Sequence, residues 1–193
     1  MPLPYRTFAR SHVRAETLRA VLKSVGCALD VTKMLGVGER PGQRDILLIA
    51  QSVKDMMRDD GSYGRELEVN LYRAALTEVM DKGYRVWWKD HPRQEDSIFD
   101  DLTVYFGDRL KRLHFVDQLP IELALSALRF ERCVGLTSSS LFYLPKLFGT
   151  KAYTFADKLL PLVSARRAEY LVIPDVLCRV KSLHELPAVE AVS

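Results

Sequence analysis

Apolar residues along this chain fall into two kinds of stretch. Short continuous runs of strand length sit at 46–50, 84–89 and 133–137, and longer stretches carry apolar residues near helical spacing. Residues 10–35 read as a helix, with Val13, Leu18, Val21, Leu22, Val25 and Leu29 on the repeat. A glycine-rich break at 36–42 follows and predicts a linker. The run at 46–50 has the continuous apolar character of a strand covered on both faces. A polar loop at 59–64 leads to a helix over 65–82. Leu67, Leu71, Ala74, Ala75, Val79 and Met80 should face inward, and Gly83 should end it. The strand at 84–89 then closes a βαβ unit, which predicts a parallel pair with a right-handed crossover.

The second half continues the alternation. Residues 94–112 read as a short helix and a loop, and 113–116 as a third strand. A helix opens at Pro120 and carries Ile121, Leu123, Leu125 and Leu128. After the strand at 133–137, Ser138 is expected to cap a helix over 141–148 that stops at Gly149. Residues 151–155 read as a fifth strand, and the remainder as helical and then irregular, with a frayed tail from 187 to 193. Strands alternating with helices predict an α/β fold with a Rossmann-like parallel sheet. Two regions follow: an N-terminal helical segment and linker at 1–42, and the Rossmann-like domain at 43–193.

With 193 residues, 48% hydrophobic and 27% charged, the chain can bury a real core. A net charge of +3, without a Lys/Arg block or an aromatic-basic stripe, argues against a nucleic-acid partner. Cys27, Cys133 and Cys178 are scattered, as are His12, His91, His114 and His184, so no metal-ligand spacing is present and no metal is expected. The N-terminus lacks the apolar core of a signal peptide, and no run is long enough to span a bilayer. A cytoplasmic, soluble protein is the expectation. The apolar stretch at 159–163 beside Arg166 and Arg167 would also suit peripheral contact with the inner face of a membrane, although a solvated helix end is the commoner origin of such a patch.

Candidate chemistry gathers where strands stop at polar residues, since ligands of open parallel sheets sit beyond the carboxyl ends of the strands. The strand at 84–89 runs into Lys89, His91, Pro92 and Arg93. His91 could hold a phosphate as a cation or donor, and Lys89, two positions earlier, would share its face if the strand persisted. A lone histidine is more often structural, and the neighbouring cations are what favour a site. Ser138, Ser139 and Ser140 follow the next strand and open a helix. They are ordinary capping residues taken alone, and an anion-binding turn at a positive helix end in this context. A serine nucleophile is disfavoured because the sequence has no GxSxG elbow. Glu122 either complements its helix dipole or holds ribose hydroxyls.

Together, Lys89-x-His91-Pro92, then Leu119-Pro120-Ile121-Glu122, then Gly135-x-x-Ser138-Ser139-Ser140 resemble the C-terminal half of bacterial sialyltransferases, above all the capsule polysialyltransferases and lipooligosaccharide sialyltransferases. The resemblance covers about residues 46–155. It implies one half of a two-Rossmann-domain glycosyltransferase architecture, with CMP-sialic acid bound in the cleft and a glycan as acceptor. On this likeness His91 contacts the donor phosphate, and two of Ser138, Ser139 and Ser140 bind it in either register. Glu122 holds the ribose and Lys89 adds positive charge. No cofactor is implied beyond the donor substrate.

One motif departs from the pattern. Such families carry an acidic-acidic-Gly motif whose carboxylate is the general base, supplied by the facing domain. Here Asp59-Asp60-Gly61 lies only about thirty residues before His91, against more than about a hundred for an intervening domain. Asp59 and Asp60 therefore read as a loop turn, with the base role a minority reading. A missing N-terminal domain or a homo-oligomer would complete the cleft. The rival readings are a nucleotide-sugar epimerase or CDP-glycerol transferase of the same architecture, or a truncated nucleotide-binding domain without catalysis.

Overall fold

The computed structural model of the protein describes residues 15–28, 39–57, 63–91, 96–113 and 121–190. Six parallel strands form one sheet in the order β3-β2-β1-β4-β5-β6. They are β1 (Asp45–Ile49), β2 (Arg85–Lys89), β3 (Leu110–Arg112), β4 (Arg132–Gly135), β5 (Lys151–Thr154) and β6 (Lys181–Ser182). This is the doubly wound order, in which the chain reverses direction across the sheet between β1 and β4. The α/β Rossmann-like expectation holds.

Every residue of β1 is buried, as its unbroken apolar run requires of a central strand. β1 pairs with β2 from Asp45 opposite Arg85 to Ile49 opposite Lys89, and with β4 from Leu47 opposite Cys133 to Ile49 opposite Gly135. A Cβ on Gly135 would stand 3.2 Å from the Ile49 carbonyl oxygen, so glycine is what lets β4 approach β1 at the reversal point.

The helices are α1 (Ala15–Ala28), α2 (Val53–Met56), α3 (Arg65–Asp81), α4 (Phe99–Phe106), α5 (Ile121–Ala127), α6 (Ser140–Phe148), α7 (Ala156–Leu159), α8 (Ala165–Tyr170) and α9 (Ile173–Arg179). α3 matches its expected span. Its buried side carries Glu68, Leu71, Tyr72, Ala75, Leu76, Val79 and Met80, whereas Ala74 is exposed. The apolar repeat thus located the face but missed the two polar residues on it. Trp88, Tyr72 and Phe155 are fully buried, with Tyr72 edge-on to both other rings at 5.0 and 5.4 Å. Each contributes roughly 1.5–3 kcal/mol by leaving water.

Three expectations need correction. The third strand lies at Leu110–Arg112, within the segment expected as helix and loop; of the expected strand at 113–116 only Leu113 is among the described residues, and it donates its N–H to the Trp88 carbonyl at 2.8 Å. β3 is an edge strand paired only with β2, so Lys111 and Arg112 stay half-buried and the apolar signature of a strand is absent. The chain beyond β5 adds a sixth strand. The tail is tied down as far as Val189, which donates its N–H to the Lys82 carbonyl at 2.7 Å, while the Tyr84 hydroxyl donates to the Pro187 carbonyl at 2.9 Å. α1 lies against α5 and α6 yet leaves Leu18, Val21 and Val25 exposed. No helix among the described residues is long and apolar enough to cross a membrane.

Candidate active site

The candidate residues occupy the carboxyl-end rim of the sheet. β2 stops at Lys89, and the next residue, Asp90, acts as an anchor. One carboxylate oxygen accepts from the Trp88 indole at 2.7 Å and the Ser97 hydroxyl at 2.6 Å, and the other from Arg112 Nε at 2.8 Å. Strand, edge strand and the start of α4 are thereby fixed around one side chain. His91 comes next and is half-buried. Because β2 ends at Lys89, strand alternation does not extend to His91, and the shared-face argument for these two residues lapses.

Lys89 is buried, and its ammonium donates to the Asp90 carbonyl at 3.0 Å. Burial pushes its pKa below the ordinary lysine range, and the Asp90 and Glu122 carboxylates push back. Glu122, half-buried in the first turn of α5, is therefore within electrostatic reach of Lys89. Two motifs more than thirty residues apart meet on one rim.

The serines leave β4 two strands away, at about 10 Å by strand spacing. Ser138 is not the helix cap. Ser139 takes the N-cap position of α6, with no side-chain cap bond, and the Ser138 hydroxyl accepts the Ser140 N–H at 3.3 Å. The run forms a compact turn, with Ser139 exposed and its neighbours half-buried. The helix ends at Gly149, whose φ of 71° suits the left-handed cap. Asp59, Asp60, Pro92 and Pro120 lie outside the described residues.

Sequence reasoning missed the polar residues between these motifs. Gln51, just past β1, extends its side chain to Thr137, just past β4: its Oε1 accepts the Thr137 N–H at 2.7 Å. Tyr72 holds the Gln51 backbone, accepting its N–H at 2.7 Å and donating to its carbonyl at 2.9 Å. Glu68, one turn earlier on α3, is a buried carboxylate that accepts from the Val53 N–H at 3.2 Å and the Tyr63 hydroxyl at 2.8 Å. Burial raises its pKa against those hydrogen bonds. The only sequence signal was position: Gln51 is the first polar residue after the first apolar strand. Among the described residues no group of His, Cys, Asp and Glu could hold a metal ion.

A doubly wound parallel sheet with cations and hydroxyls along its carboxyl-end rim, on either side of the reversal point, defines a Rossmann-type domain with its polar rim where such folds take ligands. Residues 32–157 match the alpha-2,8-polysialyltransferase (POLYST) family, and the chain belongs to that family of sialyltransferase-type glycosyltransferases. The match covers β1 to β5 and every candidate residue above, and leaves out α1, α8, α9 and β6. No curated protein matches the chain.

Proposed function

We propose that the rim binds CMP-sialic acid and that the protein, alone or completed by a second domain or copy, transfers sialic acid to a glycan acceptor. The observation that carries this reading is the gathering of Lys89, Glu122 and the residues flanking them at the end of β2, with the serine turn two strands away. The acceptor hydroxyl oxygen attacks the anomeric carbon, the bond from that carbon to the phosphate oxygen breaks, and CMP leaves with the electron pair. The hydroxyl proton passes to a general base supplied by a facing domain, the loop at Asp59 and Asp60 being the disfavoured alternative. His91 and two hydroxyls of the serine turn stabilise the departing phosphate, which is where charge grows in the transition state. Glu122 holds the ribose and Lys89 supplies positive charge. The phosphate charge is met by protein groups, so the reading calls for no metal.

Residues 43–193 act as the donor domain in this scheme, and residues 1–42 as an appended segment. A cytoplasmic location is expected, with peripheral contact at the inner face of the membrane as a secondary reading.

Competition binding with CMP, UDP and CDP separates this reading from its rivals. CMP should compete most strongly. A clear preference for UDP or CDP would contradict it and favour a nucleotide-sugar epimerase or a CDP-glycerol transferase.

A further inference from the structure

Gln51 is over-determined for a residue in a loop. β1 ends at Ile49, and the last ladder bond on this side runs from the Ala50 N–H to the Lys89 carbonyl at 2.9 Å. Beyond it the Gln51 backbone would have no strand partner. Both of its polar groups are instead satisfied by one hydroxyl, that of the fully buried Tyr72. The phenol is itself wedged between Trp88 and Phe155, so it has little freedom to move. Backbone and side chain of Gln51 are thus aimed separately, the first by α3 and the second across the reversal point of the sheet.

The recipient of that side chain is the segment leading into the serine turn. Gln51 Oε1 takes the Thr137 N–H at 2.7 Å, and the amide nitrogen approaches the Thr137 hydroxyl more loosely at 3.5 Å. From the opposite side the Thr154 hydroxyl, at the end of β5, donates to the Leu136 carbonyl at 2.6 Å. Leu136 and Thr137 are therefore clamped from two neighbouring strands, immediately before Ser138. Neither clamp is a strand-ladder bond, and both bonds go to main-chain atoms. What they fix is the direction in which the chain leaves β4, and hence where the following amides and hydroxyls point.

We propose that Gln51 is a positioning residue for anion recognition: its side chain, spanning from β1 to Thr137, sets the serine turn in the orientation that receives the donor phosphate. This rests on the donor reading above. Gln51 acts through Thr137 and needs no contact with the nucleotide. Removing its acceptor should loosen the turn, weakening ligands that carry a phosphate and sparing those that do not.

The test pairs a ligand-free measurement with a ligand series. Gln51→Met conserves length and volume but cannot accept the Thr137 N–H. Amide hydrogen exchange at Thr137, followed by NMR in the ligand-free chain, should quicken about tenfold or more, as expected for loss of one bond of roughly 1.4 kcal/mol. Gln51→Glu, which keeps an oxygen in place, should retain slow exchange. In parallel, Gln51→Met should bind CMP about tenfold more weakly than wild type while binding cytidine equally well. Unchanged exchange at Thr137, or equal weakening of CMP and cytidine, would overturn the proposal. Should the methionine variant fail to fold, Gln51→Asn, one methylene too short to span the gap, carries the same expectations. If the wild type binds no CMP, the donor reading fails, while the exchange data still decide whether Gln51 holds the turn.

Discussion

The two ends of the central sheet are both lined with charged and polar residues, yet they use them differently. At the amino end, Asp45 is buried at the start of β1. It takes a two-pronged bond from Arg85, at 3.0 and 2.8 Å, and the Gly42 N–H at 2.6 Å. Glu39 extends the cluster outward to Arg85 at 3.2 Å and to Lys111. Opposite charges meet in these pairs, and the Asp45 bonds hold Arg85 above the ordinary arginine range. At the carboxyl end, Lys89 is buried with its pKa pushed down, Glu68 is buried with its pKa pushed up, and three serines stand at a half-exposed turn. Desolvation outweighs pairing there, so that end carries polar groups at a cost in stability. Such a cost is expected at a functional rim, where polar groups are kept for a ligand rather than for stability.

Breaking the amino-end cluster should give the largest effect, and it should fall on stability alone. Asp45→Ala removes a fully buried carboxylate, leaves the Gly42 N–H without its acceptor and reduces Arg85 to its outer pair with Glu39. A loss of about 3 kcal/mol is expected, tempered from the range for buried pairs because Arg85 is partly exposed. For a chain of this length that lowers Tm by roughly 6–12 °C. CMP affinity, measured well below the melting range, should stay at the wild-type value. A fall in affinity would show that the two ends are not separable.

A smaller effect of opposite sign is expected at Lys89. Lys89→Met keeps the buried stem and removes the desolvated charge, so stability at neutral pH should rise by about 1 kcal/mol, or roughly 2–4 °C, while CMP binding weakens. The pH dependence fixes the sign. With its pKa depressed in the native state, Lys89 binds fewer protons when folded than when unfolded. Wild-type stability therefore gains from this group as pH climbs from the native pKa toward the ordinary value of 10.5, and loses that gain as pH falls. The variant should lack this slope. A destabilised Lys89→Met at neutral pH would mean that the Asp90 and Glu122 carboxylates outweigh burial.

The contrast also explains what could be read from sequence. The apolar run at 46–50 and the stops at Gly83 and Gly149 fixed β1, α3 and α6 within a residue or two, because burial on both faces and left-handed caps leave plain marks. His91 and the serines stood out because they end strands. β3 escaped because an edge strand tolerates Lys111 and Arg112. Gln51, Tyr72 and Thr154 escaped for a deeper reason: their roles depend on topology. Gln51 and Thr137 are 86 positions apart and become neighbours only once β1 and β4 are known to pair. A tyrosine on a helix reads as core, and its hydroxyl acquires meaning only when the loop that it holds is in place.

The most direct test of the carboxyl-end rim as a donor site is calorimetric titration of the purified chain with CMP, beside His91→Ala and the triple variant S138A/S139A/S140A. Saturable binding by the wild type, lost in both folded variants, is the predicted result. A well-folded wild type that takes up no CMP, or variants that bind it as tightly as wild type, would contradict the assignment.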